Sequence, residues 1–326
     1  MDKSEETALV AGGAGFIGSH LCKSLLDDNY KVICVDNFLT SDRNNLQSLL
    51  QNPSFTLMEQ DLIKPIPEPA FNMKDQKIDY VFHLASPASP NKKSAKSYIA
   101  FPIETLLVNS LGTYLLLELA RKFNSKFLYA SSSEVYGNPV VSPQKEDYFG
   151  NVNPNGIRSA YDEGKRFGEA ITFGYIRKYN LDARVVRIFN TYGPLMQADD
   201  GRVVSNFINQ AIKDKPITVY GRGTQTRSFC YVDDMVDGIK FSMFSVNTER
   251  EVFNLGNPDE RSILEIAKLI KSMTNSKSEI VFEDLPEDDP RVRKPDISHA
   301  KEIIGWTPKV ATEEGLQKTI NYFKSL

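Results

Sequence analysis

Thr7-Ala8-Leu9-Val10-Ala11-Gly12-Gly13-Ala14-Gly15-Phe16-Ile17-Gly18 is the stretch whose reading decides the fold. A short apolar run leads into three glycines, each separated from the next by two residues, and then into the helical pattern of Ser19 to Leu26. This is strand, turn, helix. Gly12, Gly15 and Gly18 permit a tight turn, close approach of backbone to a pyrophosphate, and close packing of helix on strand. Phe16 and Ile17 sit at the helix start, where free N–H groups and the helix dipole favour phosphate. The next apolar run, Lys31 to Val35, ends at Asp36, near the distance of about 20 residues at which an acid holds the adenosine ribose hydroxyls. A carboxylate there repels a 2′-phosphate, so the expected cofactor is NAD rather than NADP.

Working outward, Phe55 to Leu57 reads as a third strand, with Gln60-Asp61-Leu62 after it placed to lie against adenine. A fourth, Ile78 to Leu84, runs into His83-Leu84-Ala85-Ser86-Pro87-Ala88-Ser89-Pro90. Lys126 to Ala130 is a fifth, followed by Ser131-Ser132-Ser133-Glu134-Val135-Tyr136-Gly137, and Ala183 to Phe189 a sixth that delivers Asn190 and Thr191. Polar residues gathered where buried strands end are expected at a ligand crevice. The fold class is therefore α/β: a doubly wound parallel sheet of the Rossmann kind with a smaller C-terminal substrate-binding lobe. Residues 7–187 form the nucleotide-binding domain, segments near 226–256 return to it, and 188–326 make up most of the second lobe.

Other features read more plainly. His83, inside an apolar strand, is a core histidine. Asn91 to Tyr98 carries Lys92, Lys93 and Lys96 and is either a solvated loop or a lid over an anionic substrate. Pro102 to Phe123 has helical apolar periodicity interrupted by Asn109 and Glu118, fitting a core helix or one side of a helix-pair dimer contact. Ser262 to Met273 reads as a capped amphipathic helix, Glu283 to Asp289 as a solvated acidic loop, and Trp306 as core packing.

Tyr161-Asp162-Glu163-Gly164-Lys165 supplies the chemistry. At a helix start, Tyr161 and Lys165 lie four residues apart on one face. A phenol is a poor base at neutral pH, but a fixed positive charge nearby favours its phenolate. Alone, such a pair is common by chance; the glycine turn upstream gives it meaning.

Composition bounds the alternatives. The chain has 326 residues, 41% of them hydrophobic and 25% charged, with net charge −3, which gives no electrostatic case for nucleic acid or an anionic membrane. Cys22, Cys34 and Cys230 lack metal-ligand spacing and read as buried thiols in a reducing compartment. No metal site is expected. Met1 to Glu6 is polar, without an apolar leader core, and no run of about 18 apolar residues occurs. A cytoplasmic protein is expected.

With these residues in view, the chain resembles the extended short-chain dehydrogenase/reductases, and within them the UDP-glucuronate decarboxylases, or UDP-xylose synthases. The likeness runs through the glycine loop, Asp36-Asn37-Phe38, His83 to Pro90, Ser133 to Gly137, Tyr161 to Arg166, Arg187 to Pro194, Asp200 to Ile208, Thr218 to Gly221, Gln225-Thr226-Arg227, Asp288-Asp289-Pro290 and Arg293 to Asp296. The glycine loop and the Tyr161/Lys165 pair are superfamily-wide, whereas Ser133-Glu134 and the Arg293 region are much narrower. The resemblance implies NAD held also by Asn37, Thr40, Asp61, Leu62, Leu84, Ser86, Thr191 and Arg202. It implies a UDP-sugar contacted by Asn190, Val204 and Asn206, with Tyr220 near the uracil and Arg227 at the diphosphate. Arg291 adds a further cation beside Arg293. The implied catalytic set is Tyr161, Lys165, Ser132, Glu134 and Arg293, in a homodimer acting on UDP-glucuronate or a related nucleotide sugar.

Two departures stand out: Ser132 where the family has threonine, which keeps the hydroxyl, and Leu107 where human-type members have lysine, beside a longer Asn91 to Tyr98 loop. Three rivals follow from the same parts. A UDP-glucuronate 4-epimerase would keep the carboxylate. A nucleotide-sugar 4,6-dehydratase would carry an aspartate at Ser133. A non-catalytic NAD-binding regulator would lack the tyrosine or lysine present here.

Overall fold

The computed structural model describes residues 6–66, 77–92, 94–198, 200–285 and 292–326. Lys93, Arg291 and the motif Asp288-Asp289-Pro290 lie outside the described residues. The chain opens with β1 (Thr7–Ala11), α1 (Phe16–Asp27), β2 (Lys31–Asp36), β3 (Phe55–Glu59) and β4 (Tyr80–His83). Helices α2 (Pro102–Leu107) and α3 (Thr113–Phe123) lead to β5 (Lys126–Ser132), and α4 (Ser159–Tyr179) leads to β6 (Ala183–Ile188). After β7 (Thr191–Tyr192) come α5 (Val203–Ile212), β8 (Ile217–Tyr220), β9 (Thr226–Ser228), β10 (Cys230–Tyr231), α6 (Val232–Phe244) and β11 (Val252–Leu255). The last elements are β12 (Glu260–Ser262), α7 (Ile263–Thr274), β13 (Ile280–Glu283), β14 (Val292–Arg293), α8 (Ser298–Ile304) and α9 (Thr312–Ser325).

Seven of these strands form one parallel sheet in the order β11-β6-β5-β4-β1-β2-β3. β1 pairs Ala11 with Val35 on one side and with His83 on the other, so the winding direction reverses between β1 and β4 and a crevice opens above their carboxyl ends. β1 is buried along its whole length. Its alternate residues feed opposite faces: Ala8 and Val10 join the layer of Leu21, Leu25 and Ile239, while Leu9 and Ala11 join that of Leu116, Leu117 and Ile176. Burial on both faces is why the strands read as continuous apolar runs rather than alternating ones. The seventh strand, β11, has only four residues, too few for a periodicity to announce it.

The glycine turn has the shape its sequence requires. Gly12 sits at φ +79°, and a Cβ on Gly18 would stand 2.1 Å from the Gly12 carbonyl oxygen, so α1 can pack this close to β1 only without a side chain there. The helical pattern of Pro102 to Phe123 is continuous but not uniform, because α2 and α3 are joined by a π-turn at Val108–Gly112. Asn109, which interrupts the apolar pattern, is fully buried in that turn; its amide donates to Ser86 Oγ (2.9 Å) and Thr105 O (2.8 Å), and it accepts from the Tyr129 hydroxyl (2.8 Å). By length and composition this segment is apolar enough to cross a membrane. It packs instead against α4 and the sheet.

The remaining strands form smaller sheets, β12-β9-β14, β13-β8 and β10-β7, beside the carboxyl edge of the main sheet. α7 starts with a capping box between Ser262 and Glu265, as its sequence suggests. His83 is fully buried and bonded to Thr113 Oγ1 (3.0 Å), and burial lowers its pKa to about 3, so it is a neutral core histidine. Trp306 is core, donating to Asp234 O at 3.0 Å, and the three cysteines are buried free thiols.

Candidate active site

Two adjoining clefts run along the carboxyl ends of the strands. The outer end of the first is lined by Gly12, Gly15, Asp36, Asn37, Thr40, Asp61, Leu62, Leu84 and Ser86. Asp36 is held rigidly there: Oδ2 accepts from Ala14 N (2.9 Å), and Oδ1 from Phe38 N (2.9 Å) and Ser41 Oγ (2.7 Å). Three donors leave acceptor capacity on Oδ2 for a ribose hydroxyl. α1 begins at Gly15 with no side-chain cap, so its first N–H groups are available to phosphate oxygens. A glycine cradle, an uncapped helix start and an anchored acid at the end of β2 together fit a dinucleotide carrying free ribose hydroxyls.

Further in, Gly15, Phe16, Ile17, Gly18, Leu84 and Ser86 share a cleft with Ser132, Glu134, Tyr161, Lys165, Asn190, Thr191 and Arg202. The second cleft continues from Glu134, Asn190, Thr191 and Arg202 to Val204, Asn206, Tyr220 and Arg227. Asn91 and Lys92 line this second cleft, so part of the lysine-bearing loop borders the ligand space while Lys92 remains exposed. Among the described residues expected at the site, Arg293 alone lines neither cleft; it is 1% exposed and donates to Glu134. Leu107 ends α2, half-buried, and lines none of these clefts.

Tyr161 is the third residue of α4 and is buried with Lys165 one turn on. Lys165 Nζ donates to Ala130 O (2.8 Å) and stands 5.8 Å from the Tyr161 ring centroid. Burial pushes Tyr161 up to about 12 against the opposing hydrogen bond of Ser132, and burial pushes Lys165 down to about 7. This differs from the sequence expectation of a phenol lowered by a nearby ammonium, because desolvation of both groups outweighs their attraction. Lys165 therefore loses its proton near neutral pH. Tyr161 thereby retains access to a partner that can take up its proton.

Glu134 follows β5 in a short turn, with its N–H bonded to Ser132 Oγ (3.2 Å). Its Oε2 accepts from Arg158 (2.6 Å) and from Arg293 (3.1 Å). Burial alone would raise its pKa, but Arg293 and Arg158 overcome that and hold it well below the carboxylate range. Asp162 beside it moves the opposite way, raised by burial and by Glu134. The two carboxyl groups have opposite leanings, one fixed as an anion and the other disposed to keep its proton.

A family model described as "NAD dependent epimerase/dehydratase family" matches residues 8–256. The chain belongs to the NAD dependent epimerase/dehydratase family. Its members' cofactor, NAD, fits the cleft described above. The chain is 47% identical to UDP-glucuronic acid decarboxylase 1 of Danio rerio over 99% of its own length and 73% of the relative's. It is 46% identical to UDP-glucuronic acid decarboxylase 5 of Arabidopsis thaliana over 96% of this chain and 88% of that one. Among solved structures, UDP-glucuronic acid 4-epimerase from Bacillus cereus, in complex with UDP-glucuronic acid and NAD, superposes with a TM-score of 0.86 at 30% identity, covering 98% of this chain and 99% of that one. UDP-glucose 4-epimerase from Thermotoga maritima, with UDP-glucose, gives a TM-score of 0.87 at 31% identity, with 98% and 99% covered.

Beyond the family's glycine turn and Tyr161/Lys165 pair, the structure adds site residues the sequence did not single out. Tyr98 stacks on Tyr161, with ring centroids 5.0 Å apart and planes 13° apart, and lines the inner cleft. It ends a lysine-bearing loop whose charges drew attention away from its one aromatic ring. Arg158 comes from Asn153-Pro154-Asn155-Gly156-Ile157-Arg158, a turn-rich stretch with no motif of its own; its only signal is its place three residues before Tyr161.

Proposed function

We propose that this enzyme converts UDP-glucuronate to UDP-xylose by NAD-dependent decarboxylation through a 4-keto intermediate. The observation that carries the reading is Glu134 clamped by Arg158 and Arg293 beside Tyr161 and Ser132, in a chain whose relatives at 46–47% identity are named UDP-glucuronic acid decarboxylases. Bound NAD supplies the acceptor for hydride from the sugar's C4 and returns it at the end of the turnover. Tyr161, hydrogen-bonded to Ser132, takes the C4 hydroxyl proton, with Lys165 one helical turn on. The resulting ketone makes the substrate a β-keto acid. Loss of carbon dioxide from C5 leaves an enolate whose oxygen lies at Tyr161 and Ser132, where hydroxyl donors stabilise the developing charge. Protonation at C5 completes the skeleton of the pentose.

Structural likeness also reaches a UDP-glucuronic acid 4-epimerase, but at 30% identity, so epimerisation with retention of the carboxylate is the second reading. Product analysis by NMR after incubation with UDP-glucuronate separates the two. UDP-xylose with carbon dioxide release is expected; UDP-galacturonate alone would replace decarboxylation with epimerisation.

The same reading takes the enzyme to be a cytoplasmic homodimer. Ile103, Leu106, Leu111 and Tyr114 on the 102–123 segment and Phe167 and Tyr179 on α4 are exposed apolar side chains on two helices that pack together. A second copy covering this face would remove them from water. A monomeric mass by sedimentation would exclude that assembly.

A further inference from the structure

Resting on the reading that the substrate is a UDP-uronate, we propose that Arg158 recognises the carboxylate on the sugar's C5 and sets the preference for UDP-glucuronate over UDP-glucose. Arg158 and Arg293 both donate to Glu134 Oε2, at 2.6 and 3.1 Å, but they differ in whether they border the ligand space. Arg158 lines both clefts at their seam, whereas Arg293 lines neither and is 1% exposed. Arg293 therefore fixes Glu134 from within the protein, and Arg158 is the member of the clamp that borders the ligand space.

Position and charge agree with this assignment. Arg158 lies immediately before α4, three residues ahead of Tyr161, so one helix start sets both side chains. Tyr161 acts at the C4 oxygen, and the C5 substituent is on the neighbouring carbon. The group that meets that substituent must border the base, and Tyr98, stacked on Tyr161, occupies another side of the ring. Two guanidiniums share one carboxylate oxygen of Glu134. A substrate carboxylate at the seam of the clefts meets the guanidinium that borders it. A planar guanidinium can give it two parallel N–H bonds, which the hydroxymethyl group of UDP-glucose cannot accept in the same way. Because Glu134 holds the same guanidinium, the incoming carboxylate shares its cation with another anion, and departure of carbon dioxide relieves that competition.

The test is binding of two ligands to the NAD-loaded protein, measured by calorimetry for wild type, Arg158→Leu and Arg158→Lys, with bound NAD quantified as the check on folding. Wild type is expected to prefer UDP-glucuronate. Arg158→Leu should lose affinity for UDP-glucuronate by about 10-fold or more, the scale of a charged hydrogen bond, while binding UDP-glucose within about 3-fold of wild type. Arg158→Lys, which keeps charge and loses the fork, should show a smaller loss confined to the uronate and serves if the leucine variant does not fold. Equal losses for both sugars, or an unchanged preference in both variants, would overturn the assignment. A wild type that binds the two sugars equally would instead overturn the substrate reading on which it rests.

Discussion

Two carboxylates stand at the carboxyl edge of the same sheet and are held in opposite ways. Asp36, ending β2, is fixed by Ala14 N, Phe38 N and Ser41 Oγ, donors from the adjacent glycine turn and from its own loop. Glu134, just past β5, is fixed by guanidiniums from the start of α4 and from β14, 24 and 159 residues away. The first arrangement uses neutral donors, mainly backbone, and leaves an anion available to hydroxyls. The second pairs the anion with cations, one of which borders the space for a ligand that is itself charged. One cleft end is thus built to hold a cofactor unchanged, the other to respond to the group that reacts.

Three experiments would break or sharpen that contrast. The largest effect is expected midway between the two carboxylates: Tyr161→Phe should lose turnover by about 10²- to 10⁴-fold, the span of general acid–base catalysis, with NAD and UDP-sugar affinities nearly unchanged. Steady-state rates and ligand titrations on the folded variant check it, and near-normal turnover would remove Tyr161 from its role. In wild type the same step should accelerate as pH rises through about 7, where Lys165 loses its proton and becomes able to accept one.

Glu134→Gln comes next, because it leaves Arg158 and Arg293 without their anion. Breaking a buried pair on one side costs about 3 kcal/mol or more, so thermal unfolding should shift down and carbon dioxide release should fall more than NAD binding does. The sign of the pH dependence is set by the direction of the shift: Glu134 is held below its ordinary value, so its contribution is present above about pH 4.3 and is lost as pH falls through the folded-state value. The stability gap between wild type and Glu134→Gln should therefore close on acidification. A gap independent of pH would show that the clamp is not what stabilises this end of the cleft.

The smallest effect belongs to Asp36→Ala, which removes acceptors for the ribose hydroxyls without disturbing the cations. Affinity for NAD should fall by about 10-fold, in line with one or two charge-assisted hydrogen bonds, and discrimination against NADP should weaken with it. Fluorescence titration with both nucleotides reads the outcome. Equal affinity for NAD and NADP before any substitution would show that Asp36 does not select the cofactor.

The cofactor half was legible from sequence because it is local. Gly12, Gly15, Gly18 and Asp36 lie within one consecutive unit of β1, turn, α1 and β2, and what they do is imposed by backbone geometry that a one-dimensional pattern records. The same holds for the spacing of Tyr161 and Lys165, fixed by the helical repeat. Only the tertiary structure decided the rest. The sequence placed segments near 226–256 in this domain, but that β11 enters the sheet beside β6 is a matter of long-range pairing. Arg158, Arg293 and Tyr98 become neighbours of Glu134 and Tyr161 only when separate segments are packed onto one edge. Arg293, marked by its motif, turned out to line neither cleft, and Arg158, marked by nothing, borders both. The ionisation of Tyr161 and Lys165 followed the same division: their spacing is written in the sequence, but the desolvation that sets their proton affinities depends on what is folded over them. Backbone conformations repeat with the chain and can be read along it, whereas burial and charge pairing are properties of a volume that distant parts of the chain fill together.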